Sequence, residues 1–257
     1  MTIIDTHCHL YVKEFENDIA QVIENAQQEA VRQFYLPNID SASIEDMLQL
    51  EAKYPGICIP MMGLHPCSVN ADYKEQLQIV ENWLQKRRFA AIGEIGLDFY
   101  WDRTFETQQY EAFRRQTALA LQYQLPIVIH TRDAMQQCID VVSEYAGSGL
   151  KGIFHCFGGS IQEAEKIIAL GFYLGIGGVL TYKKSGLPAV LEHISLDHMV
   201  LETDSPYLAP VPKRGKRNES AYLKYIIAAL AEIKHTSPEE VAQITTANAT
   251  FVFQNKG

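Results

Sequence analysis

The sequence predicts a (β/α)₈ TIM barrel, an α/β fold, as a single domain over residues 1–257. Short apolar runs typical of buried parallel strands alternate with amphipathic stretches typical of helices along the whole chain. The length of 257 residues is close to the roughly 250 residues of such barrels, and no linker or change in composition divides the chain. Potential metal ligands follow several of the apolar runs, and the active sites of barrels lie at the carboxyl ends of their strands.

A doubly wound open sheet is the alternative fold, because it has the same alternation of strands and helices. An open sheet keeps its first and last strands apart, whereas a closed barrel makes them neighbours. Candidate ligands occur on both the first and the last apolar runs, at His7, His9 and Asp204. They surround one space only if these two runs meet, so the barrel is the favoured interpretation.

In the first half of the chain, four apolar runs are each followed by a stretch with apolar residues every three or four positions. This pattern predicts four strands and four helices. Ser41 precedes the second helix and is its expected N-cap. The predicted strands are residues 3–9, 33–38, 57–64 and 89–94, and the predicted helices are residues 16–30, 41–53, 74–88 and 107–124.

The second half repeats the pattern and ends in two consecutive helices. Ser160 is the expected N-cap of one helix, and Ser237 followed by Pro238 opens the last one. The predicted strands are residues 126–129, 152–154, 172–177 and 199–204, and the predicted helices are residues 133–145, 160–170, 186–193, 220–234 and 237–253.

The composition is ordinary for a soluble protein, with 47% hydrophobic and 21% charged residues. No apolar run is long enough for a membrane span, and no signal peptide is evident, so we expect a cytoplasmic protein without membrane contact, and a monomer. The net charge of −9 argues against a surface that is basic all over. The five cysteines lack CxxC spacing, which favours reduced thiols.

His7 and His9 are separated by one residue on the first predicted strand, so their side chains share a face. Two converging imidazoles form half of a metal site, although such a pair is more often without a metal. Glu94 lies on a buried strand, where a carboxylate needs a cation or strong donors. Further candidate ligands end the predicted strands, and they are His65, His130, His155 and Asp204.

Six motifs in this order resemble the TatD family of metal-dependent deoxyribonucleases, which is similar to the wider amidohydrolase group. The resemblance implies two divalent metal ions, Mg, Mn or Zn. By that resemblance His7, His9 and Asp204 bind the first ion, His130 and His155 bind the second, and Glu94 bridges both. The motifs are His7-x-His9, residues 63–66, 93–98, 129–132, 155–159 and 202–206.

Such a site suits phosphodiester hydrolysis, because two ions about 3.5–4 Å apart stabilise the attacking and leaving oxygens. Asp204 is expected to bind metal and to accept a proton from the attacking water. His65 is expected to donate to the phosphate or to act as a general acid, with a structural hydrogen bond as the alternative. Glu202 is expected beside a ligand, which it would orient.

Basic residues in the loops after the strands are the candidate contacts to substrate phosphates. The densest run, residues 213–217, follows the last strand, and the resemblance includes it. Tyr100 and Trp101 follow the fourth strand and are placed to stack on an unpaired base or to pack the loop. The predicted substrate-binding residues are His65, Arg103, Arg132, Lys183, Arg214 and Arg217.

Three functional classes follow from these residues. The favoured one is a metal-dependent nuclease whose partner is DNA, as a single strand or a free end. The second is a hydrolase of a small amide, ester or lactone that uses the same metals. The third, a non-catalytic metal-binding scaffold, is disfavoured because every ligand position is filled. The basic loop separates the first two classes, since a small neutral substrate needs no basic rim.

Overall fold

Eight short parallel strands form the wall of a barrel in the computed structural model, which describes residues 2–254. Each strand is followed by a helical segment that packs on the outside. The strands are β1 (Ile3–Asp5), β2 (Val31–Leu36), β3 (Cys58–Pro60), β4 (Ile92–Asp98), β5 (Ile127–Arg132), β6 (Gly152–Phe154), β7 (Phe172–Ile176) and β8 (Met199–Leu201).

Hydrogen bonds across two seams close the barrel. The continuous ladders run from β1 to β3 and from β4 to β8. At the first seam Met62 pairs with Ile92, and the amide of Met62 donates to the carbonyl of Ala91 at 3.1 Å. At the second seam Cys8 pairs with Ser205. The first and last strands therefore meet, which confirms the predicted barrel over the open sheet.

The helices form the outer layer, and nine of them are α-helices within the described residues 2–254. Across the same residues the helices are each too short or too polar to cross a membrane. They are α1 (Ile19–Gln28), α2 (Ile44–Lys53), α3 (Tyr73–Lys86), α4 (Glu106–Tyr123), α5 (Met135–Ser143), α6 (Ile161–Ala169), α7 (Leu187–Leu191), α8 (Leu223–Lys234) and α9 (Pro238–Phe253).

Alternate strand residues belong to two separate apolar clusters, because successive side chains of a strand point to opposite faces. The larger cluster joins the strands to the surrounding helices. The smaller one contains Ile4, Tyr35 and Val200 from three different strands and fills the barrel interior together with Val252 and Phe253 of α9. The Phe253 ring stacks on Tyr35 at 3.8 Å. Helix α9 therefore covers the amino-terminal end of the barrel.

The N-caps of two helices agree with the sequence and one differs. Ser160 accepts a hydrogen bond from Glu163 in a capping box, and the Ser237 hydroxyl accepts from the Glu240 amide, as predicted. Ser41 does not cap α2, which begins at Ile44 after Ser43. The polar residues before α2 form a turn of their own instead, and a side chain that bonds in such a turn cannot cap the helix.

Strands β4 and β5 extend further toward the carboxyl end than predicted. Residues 89–91 precede β4, and the strand continues past Glu94 to Asp98. The glycines of this segment allow close packing of the two strands, since a Cβ atom at Gly96 would lie 2.2 Å from the His130 carbonyl oxygen. The longer pair forms one side of the barrel mouth, where Asp98 is paired with Arg132.

A buried polar network holds the seam between β1 and β8. Both carboxylate oxygens of Asp5 accept hydrogen bonds, from the Thr203 amide at 3.0 Å, the Thr203 hydroxyl at 2.6 Å and the Ser220 hydroxyl at 2.6 Å. Asp5 is fully buried, and its pKa is raised to about 7 because burial outweighs these hydrogen bonds. The network joins the first strand to the loop after the last one.

We expect Ser220→Ala to lower the free energy of unfolding by about 1–3 kcal/mol, because it removes a buried donor from Asp5. Urea unfolding followed by circular dichroism measures this change. The matched control is Ser143→Ala, whose hydroxyl bonds the Ile139 carbonyl at the exposed end of α5, and it should change stability by less than about 0.5 kcal/mol. Equal effects of the two substitutions would show that the network does not stabilise the seam.

Candidate metal centre

The predicted ligands converge on one cavity at the carboxyl end of the barrel. Its volume is about 770 Å³. His7 and Asp204 follow the two strands that meet at the seam, and His7 Nε2 lies 3.7 Å from Asp204 Oδ1. The Asp204 amide also donates to the His7 carbonyl at 2.9 Å. Closure of the barrel therefore brings together side chains that are nearly two hundred residues apart.

Glu94 lies at the centre of the candidate ligands. Its Oε2 atom is 3.1 Å from His7 Nε2 and 3.7 Å from His9 Nε2. Its Oε1 atom faces the other side of the cavity, 2.7 Å from His130 Nδ1 and 3.6 Å from His155 Nε2. The two oxygens of this one carboxylate thus face two separate groups of imidazoles.

Carboxylates behind two of the histidines hold the ring nitrogens that face away from Glu94. His130 Nε2 lies 2.8 Å from Asp98 Oδ2, and His155 Nδ1 lies 2.9 Å from Glu202 Oε1. A carboxylate on one ring nitrogen fixes the ring and leaves the other nitrogen for a metal. Glu202 was expected beside a ligand and contacts His155. Asp98 is a residue of the site that the sequence pattern did not indicate.

The donor set fits divalent cations. His7 is fully buried; its Nδ1 atom has no hydrogen-bond partner among the described residues, and its Nε2 atom faces Glu94 at 3.1 Å without a well-aligned hydrogen bond. A buried ring nitrogen without a well-aligned hydrogen bond is costly, and a bound cation would satisfy one nitrogen. Four groups of three side chains have ligand atoms within 4.8 Å of one another, and they are His7, His155 and Asp204; His7, His9 and Glu94; His65, Glu94 and His130; and His155, Cys156 and Glu202.

The electrostatics of the cavity favour an ionised Glu94. Burial by itself raises the pKa of this carboxyl, but the surrounding imidazoles, His65 and His7 foremost, hold the pKa well below its usual range. Burial likewise acts to raise the pKa of Asp204, and the hydrogen bond from His9 lowers it below the usual value. Burial lowers the pKa of His7, which favours the neutral imidazole that binds metals.

His65 lies at the edge of the cavity with a defined tautomer. Its Nδ1 atom accepts a hydrogen bond from the Cys67 amide at 3.0 Å, so the neutral ring carries its proton on Nε2. That nitrogen lies 3.4 Å from Glu94 Oε1. One nitrogen of His65 therefore makes the structural hydrogen bond, and the donor role stays a prediction for the other nitrogen, which faces the cavity.

The predicted substrate-binding cations are in different environments. Arg132 lines the cavity and is exposed. Lys183 is exposed in the loop after β7. Arg103 forms an ion pair with Glu106 at 2.7 Å. In the loop after β8, the Arg214 guanidinium lies 3.9 Å from the centre of the Tyr182 ring.

Arg217 is engaged within the protein. Its guanidinium donates to both carboxylate oxygens of Asp18, at 2.8 and 2.7 Å, and to Glu219 at 3.0 Å. These bonds join the loop after β8 to the start of α1. An arginine with two carboxylate partners releases fewer counterions on binding a phosphate than a free one.

The feature of the sequence that indicates Glu94, a carboxylate on a buried strand, also applies to Asp98. It ends the same buried segment, and a buried carboxylate needs a partner. The missing information was the length of β4, because the apolar run alone stops before Glu94. With the strand continued to Asp98, the pairing of β4 with β5 places this residue beside His130.

Comparison with known proteins shows the family to which the chain is related. Residues 4–254 match the family described as TatD related DNase. The chain is 37% identical over 253 residues to the uncharacterized metal-dependent hydrolase YabD of Bacillus subtilis, covering 98% of this chain and 99% of YabD. It is 34% identical over 261 residues to the 3'-5' ssDNA/RNA exonuclease TatD of Pectobacterium parmentieri, covering 97% and 98% of the two chains.

A solved structure shows the same fold. The crystal structure of YJJV, a TatD homolog from Escherichia coli K12, superposes with a TM-score of 0.91 at 29% identity, and the match covers 98% of this chain and 97% of that one. The family match spans almost all of the chain, and the resemblance that the six motifs indicated is confirmed. The chain therefore belongs to the TatD family of metal-dependent hydrolases.

Proposed function

We propose that this hydrolase cleaves phosphodiester bonds of DNA, as an exonuclease on single strands or free ends. One observation carries the proposal. The cavity has ligand side chains on its floor and exposed aromatic and cationic side chains, Trp101, Tyr207 and Arg132, on its rim. Such a rim suits an unpaired nucleotide, whose base stacks and whose phosphate is anionic. A relative named as a single-strand exonuclease supports the same activity.

Two divalent ions are proposed as the cofactors. His7, His9 and Asp204 would hold one, His130 and His155 would hold the other, and Glu94 would bridge them. The separate directions of the two Glu94 oxygens support the bridging role. When bound, the pair of ions supplies a Lewis acid for the phosphate and lowers the pKa of a water molecule.

Asp204 and His65 are the proposed groups that move protons. The Asp204 side chain is 14% exposed and lines the cavity, so it can meet a water molecule there. Its lowered pKa keeps it ionised, as a proton acceptor requires. His65 presents an Nε2 proton at the opposite edge and can donate it to a phosphate oxygen. The same assignment predicts that a proton is accepted at Asp204 and donated at His65.

The direct test is digestion of end-labelled DNA by the metal-free protein after addition of Mg²⁺, Mn²⁺ or Zn²⁺. We expect stepwise shortening of a single strand with at least one of these ions, and slower digestion of a blunt duplex, because a cavity at the mouth of a barrel admits an unpaired end more easily than a continuous duplex. Gel electrophoresis of timed samples measures both rates. Absence of cleavage with every metal, together with hydrolysis of a small amide, ester or lactone, would favour the alternative function.

We expect Glu94→Gln to lower metal content and DNA cleavage together, the latter by roughly 100-fold or more, because the change removes the central charge between the two imidazole groups. Elemental analysis and the labelled-strand assay give the two quantities. Glu165→Gln, at an exposed position of α6, is the matched control and should leave both unchanged. A Glu94→Gln protein with full metal content and turnover would remove the bridging role.

Neutralising Arg214 and Lys216 should weaken binding of single-stranded DNA and reduce the slope of log affinity against log salt by about 1.4, since each exposed cation releases counterions. Cleavage of DNA should fall much further than cleavage of a minimal phosphodiester. Arg217→Gln should change the slope less, because Arg217 already pairs with Asp18.

The matched control for this test is the double change of Lys86 and Arg88 to Gln. Both are exposed cations near the end of α3, which precedes β4 at the opposite end of the barrel. They should not affect the salt dependence. Equal losses on DNA and on the minimal phosphodiester would show that the loop after β8 supports the fold, and no loss on either would favour a small substrate.

A further inference from the structure

The loop after β4 presents two aromatic side chains to solvent beside the cavity. Tyr100 is 53% exposed and Trp101 is 68% exposed, and both are large apolar residues. The Arg132 guanidinium lies 3.9 Å from the centre of the Tyr100 ring and 5.2 Å from that of Trp101. We call Tyr100, Trp101 and Arg132 the aromatic platform. Flat rings with a cation beside them suit the stacking of an unpaired base next to its phosphate.

Asp98 fixes the turn that carries Tyr100 and Trp101, the two rings of the aromatic platform. Its Oδ1 atom accepts hydrogen bonds from the amides of Tyr100 at 3.0 Å and Trp101 at 3.2 Å. The buried Gln109 holds the backbone of Asp98 from behind, because its amide oxygen accepts from the Asp98 amide and its amide nitrogen donates to the Asp98 carbonyl. Asp98 is itself 1% exposed. The start of the loop is therefore anchored on one carboxylate.

The other oxygen of this carboxylate reaches the metal centre. Asp98 Oδ2 lies 2.8 Å from His130 Nε2, and His130 Nδ1 lies 2.7 Å from Glu94 Oε1. Three direct contacts thus link the Trp101 amide to Asp98, Asp98 to His130, and His130 to Glu94. A change in the position or protonation of the His130 ring therefore reaches the turn of Tyr100 and Trp101 through the Asp98 side chain.

We propose that Asp98 is a positioning residue that couples the aromatic platform to the metal centre, so that metal occupancy and the placement of an unpaired base depend on each other. The coupling follows from the two bonded oxygens, and the identity of the base rests on the proposed nuclease function. Asp98 is not one of the proposed metal ligands, and it belongs to none of the candidate ligand groups among the described residues. It acts by holding His130 with one oxygen and the turn with the other.

Asparagine at this position separates the two roles because it has only one oxygen. If that oxygen accepts from the Tyr100 and Trp101 amides, the amide nitrogen faces His130 Nε2 and donates to it. Nδ1 of the neutral ring then carries the proton and is lost as a metal ligand. If the side chain turns around, the amide nitrogen faces two backbone donors and the turn loosens. Either orientation breaks the link.

The first test needs no nucleic acid. The chain has two tryptophans, Trp83 and Trp101, so the Trp83→Phe protein reports on Trp101 alone. Zinc is titrated into this metal-free protein while the fluorescence anisotropy of Trp101 is recorded, and bound zinc is measured in parallel. We expect anisotropy to rise with zinc in the parent, and the rise to be lost after Asp98→Asn although zinc still binds the remaining ligands.

The matched control is Asp102→Asn in the same loop, whose carboxylate bonds the amide and the side chain of the nearby Thr104. It should keep the zinc response of the parent. Asp98→Ser is the second variant in case Asp98→Asn does not fold, because a serine hydroxyl can accept from the turn amides but cannot reach His130. It too should lose the zinc response. A full response after either change at Asp98, or an equal loss in the control, would overturn the coupling.

The second test splits binding from turnover on two substrates. Trp101→Ala should raise KM for a single-stranded oligonucleotide by roughly tenfold and change a minimal phosphodiester much less. Asp98→Asn should raise that same KM and also lower kcat on both substrates by about 10- to 100-fold. A uniform loss without a KM change would assign Asp98 a purely structural role. A protein inactive on DNA that keeps the zinc response would refute the nuclease function and retain the coupling.

Discussion

The buried charge of Glu94 is the constraint on which the rest of the site depends. Five imidazoles lie within 4 Å of its carboxylate, and the residue is 2% exposed. An isolated carboxylate at this depth would be neutralised or expelled, so positive charge must surround it. A closed barrel provides this environment because eight strand ends point at one space, and residues that follow several of them supply the imidazoles. The protein thus maintains a buried anion that attracts cations, at a cost to the stability of the metal-free chain.

The sequence was sufficient to predict the fold and most of the residues that converge at the candidate metal centre. Apolar runs that alternate with amphipathic helices are a strong pattern, and barrels place the carboxyl ends of their strands together. His7 and Asp204 were expected to meet, and they do. The roles of the individual ligands remain predictions, since the structure shows only that their donor atoms converge.

The sequence was insufficient where hydrogen bonding between neighbours decides the outcome. Ser41 and Ser43 are both suitable caps by residue type, and the turn that includes Asp40 determines which precedes the helix. The end of β4 depends on how closely two strands approach at Gly96, which composition does not show. Arg217 has the charge of a phosphate contact, but its partner Asp18 is two hundred positions away in the chain. In each case the outcome depends on a contact with another residue that is known only from the three-dimensional structure.

Helix α9 covers the amino-terminal end of the barrel, and this determines how ligands enter and leave the site. Phe253 and Val252 fill the amino-terminal end of the interior, and the strand side chains above them are apolar. A ligand therefore enters and leaves by the same opening. Under the proposed exonuclease activity, the released nucleotide must pass the strand that remains, so release of the product and advance of the strand compete for one opening. The width of that opening, and the mobility of the loops around it, would then limit how many nucleotides are removed in one encounter.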